Sequence, residues 1–174
     1  MPSRKKIYLA GPLFSLAEKT ENDRLCRVLE RWCDVFLPQR DGELVPHLVQ
    51  QGLCQEAAYR VVFERDMAAL RVCDAVVINL DGRVVDEGAA FELGCAHVLG
   101  KECVGYRTDV RVLLPWGLNP MVTVPLSETF TCIETLETWA KALQVQSHLR
   151  RPCFGNGPEP ELRRLCESAL EEIG

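Results

Sequence analysis

Residues 74–80, DAVVINL, are apolar at almost every position rather than at every second one. A strand with one wet face alternates, whereas a continuous apolar run needs cover on both sides, the condition of a central strand in a parallel sheet. This segment alone therefore predicts helices packed above and below a sheet. The run KKIYLA at 5–10 stops at Gly11-Pro12 and reads as a first buried strand. Ser15 can cap a helix in which Leu25, Val28, Leu29 and Trp32 recur at helical spacing, carrying it to Cys33. DVFLP is a second strand cut by Pro38, QRDGELVPH a loop, and QEAAYRVVFERDMAALRV a second helix. After the central strand come the loop DGRVVDE, a third helix, GAAFELGCAHVLG, closed by Gly100, and a fourth strand, ECVGYR. A segment interrupted by Pro and Gly runs from Thr108 to Pro125, followed by a fifth strand around TFTCIE and a helix from Leu136 to Gln144.

The expectation is an α/β fold: a doubly wound, five-stranded parallel sheet, flavodoxin-like or Rossmann-like, forming one domain over residues 1–145. RRPCFGNGPEPE reads as a linker. Leu162, Leu165, Cys166, Ala169, Leu170 and Ile173 form the stripe of an extra C-terminal helix, so 146–174 is a separate tail. At 174 residues and 47% hydrophobic content the chain has material for a single core. A net charge of −5, with no basic run longer than SRKK, argues against a nucleic-acid polymer as partner. The chain shows neither an apolar run long enough to span a membrane nor a signal peptide, so a cytoplasmic location is expected. Nine cysteines are scattered without a C-x-x-C pair and three histidines lack ligand spacing; no metal is expected, and the cysteines read as small buried hydrophobes.

Ligands on such folds bind at the carboxyl ends of the strands. G-x-G-x-x-G and the P-loop pattern are both missing, so nothing points to a dinucleotide or NTP cradle, and no cofactor is expected. The unusual residues are acids. Glu92 has Gly88, Ala89, Cys95 and Ala96 three and four positions away, and Asp66 has Val62, Phe63, Ala69 and Leu70. Carboxylates on apolar helix faces are costly unless something pairs with them, so two of them suggest a shared polar cleft. Asp86 stands in the loop after the central strand, where it can cap the third helix, touch a ligand, or do both. Clustered acids without a metal or a histidine partner suit cleavage at an anomeric carbon, where one carboxylate meets an oxocarbenium-like centre and another carboxyl group manages the leaving group's proton. Spacing alone does not assign the roles.

IYLAGPLF (7–14), ERDMAALRVCDAVVINL (64–80) and DEGAAFELGCA (86–96) together resemble the nucleoside 2-deoxyribosyltransferase family, over about Lys5 to Ala142. The resemblance implies a flavodoxin-like enzyme of nucleoside salvage that moves 2-deoxyribose between nucleobases through a covalent glycosyl-enzyme ester. By it Glu92 is the nucleophile, Tyr8 orients it, Asp86 contacts and helps protonate the base, and Asp66 supports the site. Gly11, Phe14 and Gly88 would lie against substrate, although Phe14 could equally be a core aromatic. Asn119 would come from a neighbouring subunit, making a homodimer the least active unit. Gln39 and Arg40 fall at a base-proximal loop, where Arg40 reads better as solvated. GPLFS lacks the arginine of the related 5′-monophosphate N-hydrolases. The alternatives are an N-glycosidase that releases free base from 2′-deoxynucleosides or their monophosphates, and a non-catalytic nucleotide-binding module.

Overall fold

The computed structural model describes residues 3–111 and 117–145. The linker and terminal helix expected over 146–174 lie outside the described residues. In chain order the elements are β1 (Lys6–Ala10), α1 (Leu16–Leu29), β2 (Asp34–Phe36), α2 (Pro38–Asp41), α3 (Val45–Gln50), α4 (Gln55–Val72), β3 (Ala75–Asn79), α5 (Glu87–Val98), β4 (Glu102–Tyr106), α6 (Pro120–Thr123), β5 (Glu128–Phe130) and α7 (Ile133–Val145). All neighbouring strands pair in parallel, in the order β2-β1-β3-β4-β5. That order is the flavodoxin-like one, not the Rossmann order. Every residue of β3 is buried, as the unbroken apolar run requires.

Strand alternation divides the core into two layers. Ile7, Leu9, Val77 and Val104 pack with Leu25, Leu29, Leu136 and Ala140 of α1 and α7. Tyr8, Ala10, Val76 and Ile78 pack with Leu70 of α4 and Ala89, Leu93 and Ala96 of α5 on the opposite face. Four of the cysteines are part of these layers, Cys26 and Cys33 in the first, Cys73 and Cys103 in the second. Among the described residues no helix is long and apolar enough to cross a membrane.

Local signals place the helices. Ser15 and Glu18 form a reciprocal capping box at α1, the Glu18 N–H donating to Ser15 Oγ (3.2 Å) and the Ser15 N–H to Glu18 Oε2 (2.7 Å). Gly100, at φ 68, ends the turn after α5 in the left-handed region that suits glycine.

Three boundaries differ from expectation. α1 stops at Leu29, since Trp32 and Cys33 belong to a following turn whose N–H groups return to the Leu29 carbonyl. The expected loop at 39–47 contains α2 and α3, each with proline in its first turn, where the missing N–H would have had no partner anyway. Arg40 is accordingly not a free loop residue: it sits in α2 and pairs with Glu30 (2.7 Å) and Asp41 (2.8 Å). At the other end, β5 closes at Phe130 and α7 begins at Ile133, ahead of the expected start at Leu136.

Candidate active site

The chain leaves β1 towards β2 on one side and later enters β3 on the other, so the carboxyl ends of β1 and β3 are the switch point at which such sheets bind ligands. Tyr8 points from β1 to the α4/α5 layer, fully buried, with its ring stacked on Phe36 at 5.4 Å between centroids. Its hydroxyl donates to Glu92 Oε1 at 2.5 Å. Burial and the nearby Glu92 and Asp66 charges push the Tyr8 phenol far above its ordinary range, so it stays protonated and remains a donor. Phe63 of α4 and Phe91 of α5 meet at 6.1 Å, holding the two helices side by side.

Glu92 is half-buried beside the apolar stripe Ala89, Leu93 and Ala96. Burial pushes its carboxyl up to about 7; the Tyr8 hydrogen bond acts against this, while the Asp66 and Asp86 charges add to it. Asp66, also half-buried, is pushed up to about 6 by burial, with the Arg65 charge opposing. Its Oδ1 is buried without a hydrogen-bond partner. A Cβ on Gly42 would come within 3.3 Å of that oxygen, so the loop after α2 closes over Asp66. Arg65 fastens that loop by donating to the Asp41 carbonyl at 3.0 and 3.1 Å. Asp86 is the N-cap of α5, its Oδ1 accepting from the Ala89 N–H at 2.8 Å, and its charge also reaches Glu92. It is therefore both cap and member of the acidic group.

Tyr8, Asp66, Asp86 and Glu92 thus converge. Gly88 lies beside them in the first turn of α5, where an added Cβ would meet Asp86 Oδ1 at 3.2 Å. Phe14 is 81% exposed, which excludes the core role and leaves the ring available to a ligand. Asn119 is exposed at the N-cap of α6, donating nothing to the acidic group and accepting from the Met121 N–H at 2.9 Å. Gln39 is tied to α1 through Asn22, Asp23 and the Lys19 carbonyl.

The sequence reading missed Asn22, Phe36, Gly42 and Asn79. Asn22 carried a legible signal, since it occupies the buried stripe of α1 with Leu25, Cys26 and Leu29. Gly42 had none, because its position against Asp66 joins segments distant in sequence.

An orphaned buried carboxylate oxygen beside a tyrosine-held glutamate, at the switch point of this sheet, suits a substrate with hydrogen-bond donors and an electrophilic carbon. A family model for nucleoside 2-deoxyribosyltransferases matches residues 7–151. The chain belongs to the nucleoside 2-deoxyribosyltransferase family. A crystal structure of a conserved protein from Enterococcus faecalis V583 is similar at 25% identity, covering 81% of this chain and 99% of that one, with a TM-score of 0.67. The 2-deoxyribosyltransferase from the psychrotolerant bacterium Bacillus psychrosaccharolyticus is 24% identical over 80% of this chain and 95% of its own, with a TM-score of 0.63, a likeness of fold. A search of curated protein sequences finds no match. Membership of the deoxyribosyltransferase family supports an enzyme of nucleoside deoxyribosyl-transfer type acting on small nucleoside substrates.

Removing the Tyr8 hydroxyl has a signed consequence. The hydrogen bond favours ionised Glu92, so Tyr8→Phe raises that carboxyl further and requires a higher pH to ionise it. The acid limb of the pH–rate profile should move to higher pH, with activity falling more at pH 6 than at pH 8. An equal loss at both pH values would show that Tyr8 does not tune Glu92.

Proposed function

We propose that the enzyme transfers 2-deoxyribose between nucleobases through a covalent ester on Glu92. The observation that carries this reading is the Tyr8–Glu92 hydrogen bond in a cleft with two further carboxylates and, among the described residues, no cation paired to Glu92. In the first step an ionised Glu92 oxygen bonds to C1′ as the bond from C1′ to the base nitrogen breaks. The bonding pair leaves with the base, which takes a proton from the acidic group. Asp86 is assigned that contact, with Asp66 beside it holding a proton more tightly than an ordinary aspartate. A second base then attacks C1′ from the face opposite Glu92, returns its ring N–H proton to the acidic group and releases the Glu92 carboxylate. Two inversions give retention, and the kinetics are ping-pong. The desolvated cleft serves both halves, since water there would compete with the acceptor base.

Incubation with thymidine and adenine should yield deoxyadenosine and thymine in equal amounts. Release of free deoxyribose at the same rate with and without adenine would replace transfer by hydrolysis. Ligand-dependent melting with no base release would leave only a binding module.

The active unit is proposed to be at least a homodimer. Supporting this, Phe63 and Phe91 are 53% and 55% exposed, and Met121 and Val124, next to Asn119, are also exposed. Exposed large apolar residues are what a self-association face offers. Sedimentation at micromolar protein should show a dimer that Phe63→Glu dissociates with loss of activity; an active monomer would overturn the proposal.

A further inference from the structure

Among the described residues, two fully polar side chains lie in the core, Asn22 on α1 and Asn79 at the end of β3, each 2% exposed. Burying an amide is costly unless its groups are satisfied, and here they satisfy one another. Asn79 Nδ2 donates to Asn22 Oδ1 at 2.9 Å. Asn22 Nδ2 donates to the Pro12 carbonyl at 2.7 Å and to Gln39 Oε1 at 3.1 Å, while the Asp81 N–H donates to Asn79 Oδ1 at 3.1 Å. The Asp81 carboxylate in turn accepts from the N–H groups of Thr108 (2.5 Å) and Asp109 (2.7 Å). One hydrogen-bonded chain therefore crosses the carboxyl edge of the sheet, joining helix α2 to the loops that follow β1, β3 and β4.

The turn after β1 lies directly on this chain. A Cβ on Gly11 would sit 2.9 Å from Asn79 Cβ and 3.0 Å from Asn22 Oδ1, closer than a packed side chain tolerates. This close approach explains the glycine of the AGP turn, and it makes the turn's position a function of the two amides beneath it. Apolar side chains of similar volume could fill the same space but would leave the Pro12 carbonyl without its donor, so the amide pair fixes direction as well as packing.

We propose that Asn22 and Asn79 are positioning residues that lock the Gly11–Phe14 turn against β3 and thereby set how tightly the cleft holds its nucleoside. The identity of the bound molecule rests on the function proposed above; the locking of the turn does not. Three variants test it: Asn22→Ala, Asn79→Ala and the pair together, with Asn22→Ser and Asn79→Ser in reserve should an alanine variant fail to fold. Hydrogen exchange at Leu13 and Phe14 should accelerate at least tenfold in each variant while exchange in β4 is unchanged. KM for deoxyadenosine should rise at least tenfold with kcat held within threefold. Because either substitution breaks the same link, the double variant should be no worse than the more affected single, within twofold. Unchanged exchange at the turn, faster exchange with an unaltered KM, or multiplying effects in the double variant would each overturn the proposal. Should the unmodified enzyme neither transfer nor hydrolyse deoxynucleosides, the nucleoside reading fails, and the exchange measurement alone still decides whether the amide pair holds the turn.

Discussion

Glu92→Gln is expected to abolish deoxyribosyl transfer, lowering kcat by on the order of 10³–10⁶, the range seen when a covalent nucleophile is removed. Glutamine keeps the volume and still accepts the Tyr8 hydrogen bond, so the cleft survives while its nucleophilic oxygen does not. With a deoxynucleoside and no acceptor base, intact-mass measurement should detect a sugar adduct on the unmodified enzyme and none on the variant. The same substitution should stabilise the fold at alkaline pH. Burial raises the Glu92 carboxyl from its ordinary value of 4.5 to about 7 in the folded state. Between those values the unfolded chain releases the proton first, so the native enzyme loses stability as pH rises from 4.5 to 7 and stays at the lower level above. Glutamine has no proton to lose. The gain should be nil near pH 4 and about 3 kcal/mol at pH 8, several degrees in Tm. Retained turnover would remove Glu92 from the chemistry, and a variant melting lower at pH 8 would contradict the burial argument.

Asp66→Asn is expected to lower kcat/KM by roughly tenfold to a hundredfold, the worth of one charge-assisted hydrogen bond in a desolvated site. Asp66 Oδ1 is an acceptor buried with no partner. Leaving a carboxylate in that state is costly, and a substrate hydrogen-bond donor would relieve the cost once the Gly42 loop that covers the oxygen gives way. The substitution also removes one of the charges holding Glu92 above the usual range. The acid limb of the pH–rate profile should therefore move to lower pH, the opposite direction from Tyr8→Phe. An unmoved limb in Asp66→Asn would mean that the two acids do not interact.

Where a misplaced residue was visible along a single helix, the sequence exposed it. Glu92 and Asp66 stood out because small or apolar neighbours at helical spacing left them without an ion-pair partner. One aromatic after a turn fits either wall or core, and the exposure of Phe14 removes the core role. Gln39 looked like a loop residue near the base, yet its amide is consumed by Asn22, Asp23 and Lys19. The short helices α2 and α3 escaped because their prolines were read as strand and loop punctuation, although proline fits a first helical turn equally well.

The sequence by itself determined a parallel sheet covered on both faces, the sites of the main helices, and the acids from which a site could be built. Those properties follow from periodicity and capping, which act between residues a few positions apart. Only the tertiary structure decided the reach of the Tyr8 hydroxyl to Glu92 at 2.5 Å, the Gly42 loop over Asp66 and the Asn22–Asn79 link. Each joins side chains whose separation depends on how whole layers pack, and no local pattern encodes that distance.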